Sequence, residues 1–137
     1  MNKKHLIFDL DGTTVNSSHR QRLINGKLDL EHWKANAIRS KIMQDTLLPL
    51  SKVWLGLQDK LDIFVCTARN IADADIEFLA RHGLRYTDIL SRPLGDSSSD
   101  PILKVRLLRN MYSVRKLDPL QGLFFDDKQE NLDAVSL

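Results

Sequence analysis

Acidic, basic and hydroxyl side chains follow three apolar segments of this chain. The first set is Asp9-Leu10-Asp11-Gly12-Thr13, directly after the apolar run His5-Leu6-Ile7-Phe8. Two later apolar runs are followed by the other sets, Thr67-Ala68-Arg69 and Asp126-Asp127. Because the carboxyl ends of parallel strands meet at one edge of a sheet, the three sets are expected to converge if these runs are strands.

The residue types at that edge indicate which reaction they could catalyse. Four carboxylates would repel one another there: Asp9, Asp11, Asp126 and Asp127. A divalent cation offsets such repulsion, and hard carboxylate oxygens favour Mg²⁺. Thr67, Arg69 and Lys104 would supply the hydrogen-bond donors and positive charge that a phosphoryl group needs. Since a carboxylate can also act as a nucleophile through an aspartyl-phosphate, the set favours Mg²⁺-assisted phosphoryl transfer.

The chain as a whole alternates between segments typical of strands and segments typical of helices. Strands are predicted at His5–Phe8, Asp62–Cys66, 87–90 and 120–125, and helices at 29–44, 51–60, 71–82, 100–112 and 129–135. Strands separated by helices predict a parallel sheet covered on both faces, which is the α/β class.

Capping residues mark several of the predicted helix ends. Asp29 is the expected N-cap of helix 29–44, and Gly83 is the expected left-handed residue after helix 71–82. Asp100 is the expected cap of helix 100–112, with Pro101 at its first position. Apolar residues at helical spacing are expected to face inward: Leu30, Trp33, Ala37 and Ile38, and then Ala72, Ile76, Leu79 and Ala80.

Composition is that of an ordinary soluble domain. The 137 residues are 42% hydrophobic and 28% charged with a net charge of +2, which suits a single domain over 1–137. The longest apolar run, 63–66, is far too short to span a membrane. The single cysteine, Cys66, excludes an internal disulfide and is expected to be a core thiol. We therefore expect a cytoplasmic protein with no membrane partner.

Two stretches rich in lysine and arginine are compatible with an anionic binding partner. Residues 20–41 contain six lysines and arginines against two acids, and residues 101–117 contain five and no acid. Such runs are more often solvated helix faces than binding surfaces. Trp33 and Trp54 lie at helical spacing among apolar residues, which favours core packing over stacking on a base.

The acidic, hydroxyl and basic residues, in this order, resemble the haloacid dehalogenase superfamily of phosphotransferases over about 6–134. The resemblance implies a Rossmann-like three-layer α/β/α fold, with a minimal helical insert at about 16–48 acting as a cap. It implies that Asp9 is the nucleophile and Asp11 the general acid/base. It also implies the Mg²⁺ ligands and the phosphoryl-binding residues: the Asp9 carboxylate, the Asp11 main-chain carbonyl, Asp126 and an assisting Asp127 for the metal, and Thr67 and Lys104 for the phosphoryl.

A narrower resemblance is to the 3′-phosphatase domain of bacteriophage polynucleotide kinases. Arg20 lies eleven residues after Asp9, Arg69 follows Thr67, and Asp100 precedes Lys104 with an Asp-x-x-x-Lys spacing. By this resemblance Arg20, Arg69 and Asp100 belong to the substrate side of the site. The short insert leaves room for one or two helices, and an open site of that kind admits a DNA or RNA 3′ end.

Three functions follow from these patterns. The leading expectation is a Mg²⁺-dependent phosphatase acting on 3′-phosphorylated nucleic-acid ends. The alternatives are a small-molecule phosphatase for mononucleotides or sugar phosphates, and a binding protein that keeps the fold without turnover.

The sequence departs from the superfamily at two points: Thr14 stands where an apolar residue is usual, and the chain stops at Leu137, where the core normally continues into another strand. The second leaves a sheet edge through which the protein could oligomerise.

Overall fold

The computed structural model of the protein describes residues 4–136. Within this range eight strands follow one another: β1 (His5–Phe8), β2 (Val15–Asn16), β3 (Leu23–Ile24), β4 (Lys27–Leu28), β5 (Thr46–Leu47), β6 (Asp62–Cys66), β7 (Asp88–Leu90) and β8 (Gly122–Phe125). Six α-helices lie between and after them: α1 (Leu30–Ala35), α2 (Arg39–Ile42), α3 (Ser51–Leu57), α4 (Asp73–Arg81), α5 (Asp100–Arg115) and α6 (Gln129–Ser136).

The four longer strands form one parallel sheet in the order β7-β6-β1-β8. The pairing register sets Phe8 opposite both Val65 and Phe125. Asp9 and Asp126, each the next residue along its strand, therefore leave the sheet at the same level. The predicted Rossmann-like α/β fold and the convergence of its strand ends are confirmed.

Alternating side chains of the central strand supply the two halves of the core. Leu6 and Phe8 pack into one apolar cluster, whereas Ile7 packs into the other, beneath α5. Trp54 on α3 is fully buried; its ring stacks on Phe8 with centroids 5.4 Å apart, and its indole nitrogen donates to the carbonyl of Arg85. Cys66 lies in the second cluster. Trp54 and Cys66 are thus core residues, as predicted.

The insert between the first two sheet strands is a mixture of strands and helices. Strands β2 and β5 pair with each other, and so do β3 and β4, whose turn has Asn25 and Gly26 at φ of 51° and 77°. Positive φ at both central residues is typical of the tight hairpin turn that Asn-Gly favours.

The prediction of one continuous helix over 29–44 is wrong. Asp29 caps α1 as expected, accepting from the backbone of His32, but the helix ends at Ala35 with Asn36 as its C-cap. The Asn36 side chain donates to the His32 carbonyl, which competes with helix continuation, and Ile38 is extended before α2 begins. Leu30 and Ile38 were expected to face inward; they are 61% and 49% exposed.

Other element boundaries shift by a few residues. Ser99 is the N-cap of α5, so Asp100 is its first helical residue and Pro101 its second, each one position later than predicted. Residues 58–60 and 71–72 fall outside α3 and α4, and a 3₁₀ turn at Pro119–Gln121 precedes β8. Gly83 has the expected positive φ of 71°. Of the residues expected to face inward on this helix, Leu79 is buried, whereas Ile76 is 38% exposed and Ala72 and Ala80 are exposed as well.

Strand β8 is at one end of the sheet as far as residues 4–136 extend. The predicted gap at Leu137 lies outside the described residues, and oligomerisation through this edge stays a prediction. None of the helices within residues 4–136 combines the length and apolar character needed to cross a membrane.

The contrast between core and insert predicts that a Leu→Ala substitution lowers the free energy of unfolding by different amounts in the two places. Leu79→Ala removes a side chain that is 1% exposed, so we expect the free energy of unfolding to fall by about 2–5 kcal/mol. Leu30→Ala, at an exposed position of the insert, should change it by about 0.5 kcal/mol or less. Urea unfolding monitored by circular dichroism measures both values. Equal losses for the two variants would contradict this placement of the core.

Candidate active site

Asp9 is the centre of a buried polar cluster at the carboxyl end of the sheet. Its side chain accepts from the ammonium of Lys104 at 2.9 Å and from the hydroxyl of Thr13 at 3.1 Å. The hydroxyl of Thr14, which is fully buried, donates to the Asp9 main-chain carbonyl at 2.8 Å. This bond explains a polar residue where the superfamily usually has an apolar one.

Strand β8 contributes the two other carboxylates of the cluster. Asp126 accepts from Lys104 Nζ at 2.5 Å and from the amide of Asn131 at 3.1 Å. Asp127 approaches the loop after β1, where its backbone nitrogen donates to the Thr13 hydroxyl at 3.0 Å. Gly12 permits this approach, because a Cβ at that position would lie 2.5 Å from Asp127 Oδ2.

The donor set of this cluster fits a divalent metal ion. Asp9, Asp126 and Asp127 each offer a carboxylate oxygen, and these oxygens lie within 4.8 Å of one another. Burial raises the pKa of Asp9 to about 7, with Asp126 and Asp11 adding to the effect and Lys104 opposing it. The Lys104 ammonium therefore does not outweigh the effect of burial on the Asp9 carboxylate, and hard oxygen ligands suit a hard cation.

Lys104 keeps its positive charge despite being buried. Burial opposes the charged form, but the Asp9 and Asp126 carboxylates outweigh it and raise the pKa of the lysine. The lysine reaches the cluster from the second turn of α5. It therefore joins the two strand ends that carry the acids.

Asp11 lies beside this cluster and is held through both carboxylate oxygens. Its Oδ1 accepts from the Ser17 hydroxyl at 2.8 Å. Its Oδ2 is 3.0 Å from Nε of Arg69, whose Nη1 donates to Asp75 at 2.6 Å. The side chain expected to transfer protons thus accepts one hydrogen bond and forms one ion pair, because Arg69 Nε is not aligned to donate a hydrogen bond to it. Arg69, expected on the substrate side, is paired with acids at the site's border.

Thr67 follows β6 and is buried in the same region. Its backbone nitrogen donates to the Leu90 carbonyl, and its hydroxyl accepts from the backbone nitrogen of Arg69 at 3.3 Å. Since Cys66 is paired with Leu90 at the end of the strand, Thr67 lies at the carboxyl edge that carries Asp9. A role in holding a phosphoryl group stays a prediction.

Two residues predicted on the substrate side are paired elsewhere. Arg20 is 1% exposed; it donates to the buried carboxylate of Asp45 at 2.9 Å and lies 4.4 Å from the ring centroid of Trp33. Asp100 accepts from Arg92 at 2.9 Å. Both charges are thus paired within the protein, and contact with substrate stays a prediction for each.

Arg92 is a structural residue of the site that the sequence analysis missed. Its guanidinium donates to the main-chain carbonyls of Ala68, Asp96 and Ser98 as well as to Asp100. These bonds join the loop after β6 to the loop before α5. The only signal in the sequence is an arginine two residues after a strand end, which by itself indicates little.

A cavity of about 740 Å³ lies at the opposite end of the sheet. Its lining includes Asp62 and Thr87, which begin or precede their strands, and the apolar side chains of Leu61, Ile76 and Leu84. None of the clustered acids lines it. The clustered acids therefore lie at the carboxyl edge of the sheet and not in this cavity.

Comparison with known proteins supports the fold and the family. Residues 1–96 match a family model described as Bacteriophage T5 5′-deoxynucleotidase. The 5′-deoxynucleotidase of Escherichia phage T5 is 41% identical over 87 residues, which is 58% of this chain and 35% of that protein. The match thus spans about a third of the length of that curated relative.

Solved structures with the same fold include several hydrolases. A haloacid dehalogenase-like hydrolase from Streptococcus pneumoniae has a TM-score of 0.69 at 13% identity, covering 98% of this chain and 80% of that chain. A putative phosphatase from Clostridium difficile has a TM-score of 0.69 at 12% identity, covering 99% and 81%. A chain of the Pnkp1/Rnl/Hen1 RNA repair complex has a TM-score of 0.62 at 22% identity, covering 97% and 39%. These likenesses confirm the predicted haloacid dehalogenase-like fold.

The charge on Asp9 predicts how the metal-free protein responds to pH. Because burial raises the pKa of Asp9 from 3.8 to about 7, the folded state retains a proton there that the unfolded state releases. Stability is therefore lost as the pH rises from about 4 to about 7, and it stays low above that. With a chelator present, Asp9→Asn should raise the free energy of unfolding at pH 8 by up to about 4 kcal/mol.

At pH 4 the same substitution should have a much smaller effect, because the wild-type carboxyl is then largely protonated in the folded state. Chemical denaturation at the two pH values measures the difference. A gain of the same size at pH 4 and pH 8 would show that the Asp9 charge is not the cause.

Proposed function

This chain belongs to the Bacteriophage T5 5′-deoxynucleotidase family, and on that premise we propose that it is a Mg²⁺-dependent phosphatase acting on deoxynucleoside 5′-monophosphates. The observation that carries the proposed reaction is the Asp9–Lys104–Asp126 cluster, in which a buried carboxylate is held at 2.9 Å from a buried ammonium. The substrate is taken from the family, whose match includes the whole insert. The insert contacts the edge where Asp9 and Asp11 lie, since Ser17 within it donates to Asp11.

The arrangement of the acids supports a two-step reaction. An Asp9 carboxylate oxygen attacks phosphorus while the bond from phosphorus to the leaving-group oxygen breaks, and Asp11 donates its proton to that oxygen. A water molecule, deprotonated by Asp11, then attacks phosphorus, and the bond to Asp9 breaks to release inorganic phosphate. Asp9 is regenerated as a carboxylate, and Asp11 again carries a proton.

The surrounding residues would prepare these groups. Lys104 and Thr13 orient the two oxygens of Asp9, and Lys104 offers positive charge beside the developing phosphoryl charge. Asp9, Asp126 and Asp127 would hold Mg²⁺, and the Asp11 main-chain carbonyl is a further ligand by resemblance. When bound, this ion neutralises phosphate charge and favours the ionised form of Asp9.

A second candidate substrate is a 3′-phosphorylated nucleic-acid end. The observation that favours it is the basic surface of the insert, where five of the six basic residues between 20 and 41 are exposed: Arg22, Lys27, Lys34, Arg39 and Lys41. These charges could contact phosphates next to the one that is removed. Arg20 is the exception, because it is buried against Asp45.

The nucleophile can be tested with one conservative substitution. Asp9→Asn removes the attacking carboxylate but keeps a side chain of similar size, so turnover should fall at least ~10³-fold in a folded variant. Asp73→Asn, at an exposed position of α4, is a control that should retain full activity. Phosphate release from p-nitrophenyl phosphate with Mg²⁺ and with EDTA is the measurement. Retention of a tenth of the activity by Asp9→Asn would exclude this nucleophile.

The substrate can be tested by comparing phosphate positions at two salt concentrations. We expect kcat/KM for a deoxynucleoside 5′-monophosphate to exceed that for a 3′-phosphorylated oligonucleotide and to change little with salt. If backbone phosphates are contacted, efficiency on the oligonucleotide should instead be higher and fall as salt rises. The second result would replace the 5′-nucleotide with a nucleic-acid 3′ end as the substrate. Failure to hydrolyse either substrate would contradict both candidates.

A further inference from the structure

Asp75 is a buried acid outside the groups expected to do chemistry. It lies in the first turn of α4 and is 4% exposed. One carboxylate oxygen accepts from the backbone nitrogen of Ala72 at 3.0 Å, which satisfies a free donor at the start of the helix. The other oxygen accepts from Arg69 Nη1 at 2.6 Å. A single side chain thus links the start of α4 to an arginine at the border of the site.

Arg69 occupies the space between two carboxylates. Its side chain is 10% exposed, with Nη1 on Asp75 and Nε 3.0 Å from Oδ2 of Asp11. Because the guanidinium is rigid and planar, fixing one of its nitrogens largely fixes the direction of the others. The position of Asp75 therefore determines where Arg69 meets Asp11.

The second oxygen of Asp11 is fixed independently. It accepts from the Ser17 hydroxyl, which in turn accepts from the side-chain amide of Gln21 at 3.2 Å. Ser17 belongs to the insert, whereas Arg69 and Asp75 belong to the segment after β6. The Asp11 carboxylate consequently lies between two parts of the chain, bound on one side by a hydrogen bond from Ser17 and on the other by an ion pair with Arg69.

We propose that Asp75 is a positioning residue, which acts through Arg69 to keep the Asp11 carboxylate directed at the leaving-group oxygen. This inference rests on the proposed role of Asp11 as the acid that protonates that oxygen. It assigns Arg69 to the support of Asp11, since the guanidinium already has two anionic partners. Proton donation depends strongly on geometry, so a displaced Asp11 loses its effect while the attack by Asp9 remains possible.

Leaving-group chemistry separates positioning from a general loss of structure. An alkoxide, such as the 5′ oxygen of a nucleoside, needs a proton as it departs, whereas the nitrophenolate of p-nitrophenyl phosphate needs little help. A defect confined to proton donation is therefore large for the nucleotide and small for the aryl ester. A site that is merely loosened is slower on both.

The first variant is Asp75→Asn, which keeps an oxygen that can accept from Ala72 and removes the charge that holds Arg69. With Mg²⁺ present, we expect kcat for a deoxynucleoside 5′-monophosphate to fall by about 10–100-fold and kcat for p-nitrophenyl phosphate by about threefold or less. Asp73→Asn, in the same helical turn but exposed, should leave both rates unchanged. Equal losses on the two substrates, or no loss on the nucleotide, would overturn the inference.

A double substitution and a crystal structure complete the test. In an Asp11→Asn background, Asp75→Asn should cause no further loss on the nucleotide, whereas an additive loss would contradict action through Asp11. A crystal structure of Asp75→Asn should show Arg69 Nε no longer in contact with Asp11, and an unchanged pair would refute the inference whatever the activity. If the Asp11→Asn enzyme shows no dependence on the leaving group, the proposed function fails at Asp11, a result distinct from failure at Asp75.

Discussion

The buried ammonium of Lys104 between Asp9 and Asp126 is the interaction on which the site depends. Two carboxylates at the ends of neighbouring strands would repel each other if they were buried without a cation between them. The lysine is placed there by the start of α5, and the acids are placed by the register of β1 against β8. Removing the lysine would leave two buried carboxylates without a compensating charge, which is far more costly than losing an exposed ion pair. Sheet register, helix position and site chemistry are therefore coupled through three side chains.

Arginine side chains connect the loops around this cluster. Arg92 binds three main-chain carbonyls in two loops, so that the segments after β6 and before α5 hold each other in place. Arg20 is buried with Asp45 inside the insert, where several large apolar side chains are exposed. The planar guanidinium suits such places because it bonds several acceptors at once in a fixed geometry. Hydrogen bonds and buried ion pairs thus connect the segments around the edge of the sheet that carries the acids.

The sequence predicts the central sheet and its acids well, because these features are local. Each main strand is a short run of apolar residues, and Asp9 and Asp126 follow such runs directly, so topology alone brings them together. The insert is different. Its short elements are decided by contacts between residues far apart, such as Arg20 with Asp45, and by the Asn36 side chain, which ends a helix that periodicity alone would continue. Arg92 and Asp75 could not be identified either, since bonds to main-chain carbonyls and to another arginine leave no pattern in the sequence.

The pairing of β1 with β8 has a consequence for how the chain acquires its shape. Strand β1 is at the centre of the sheet, but its neighbours come from the middle and from the far end of the described sequence, at Asp62–Cys66 and Gly122–Phe125. While the chain emerges from the ribosome, β1 can pair on one side only, and its other side stays open until residue 125 is available. Contacts this distant in sequence form slowly, and an open apolar strand invites association with other chains. Nascent or truncated chains that lack β8 are thus the form of this protein most exposed to aggregation.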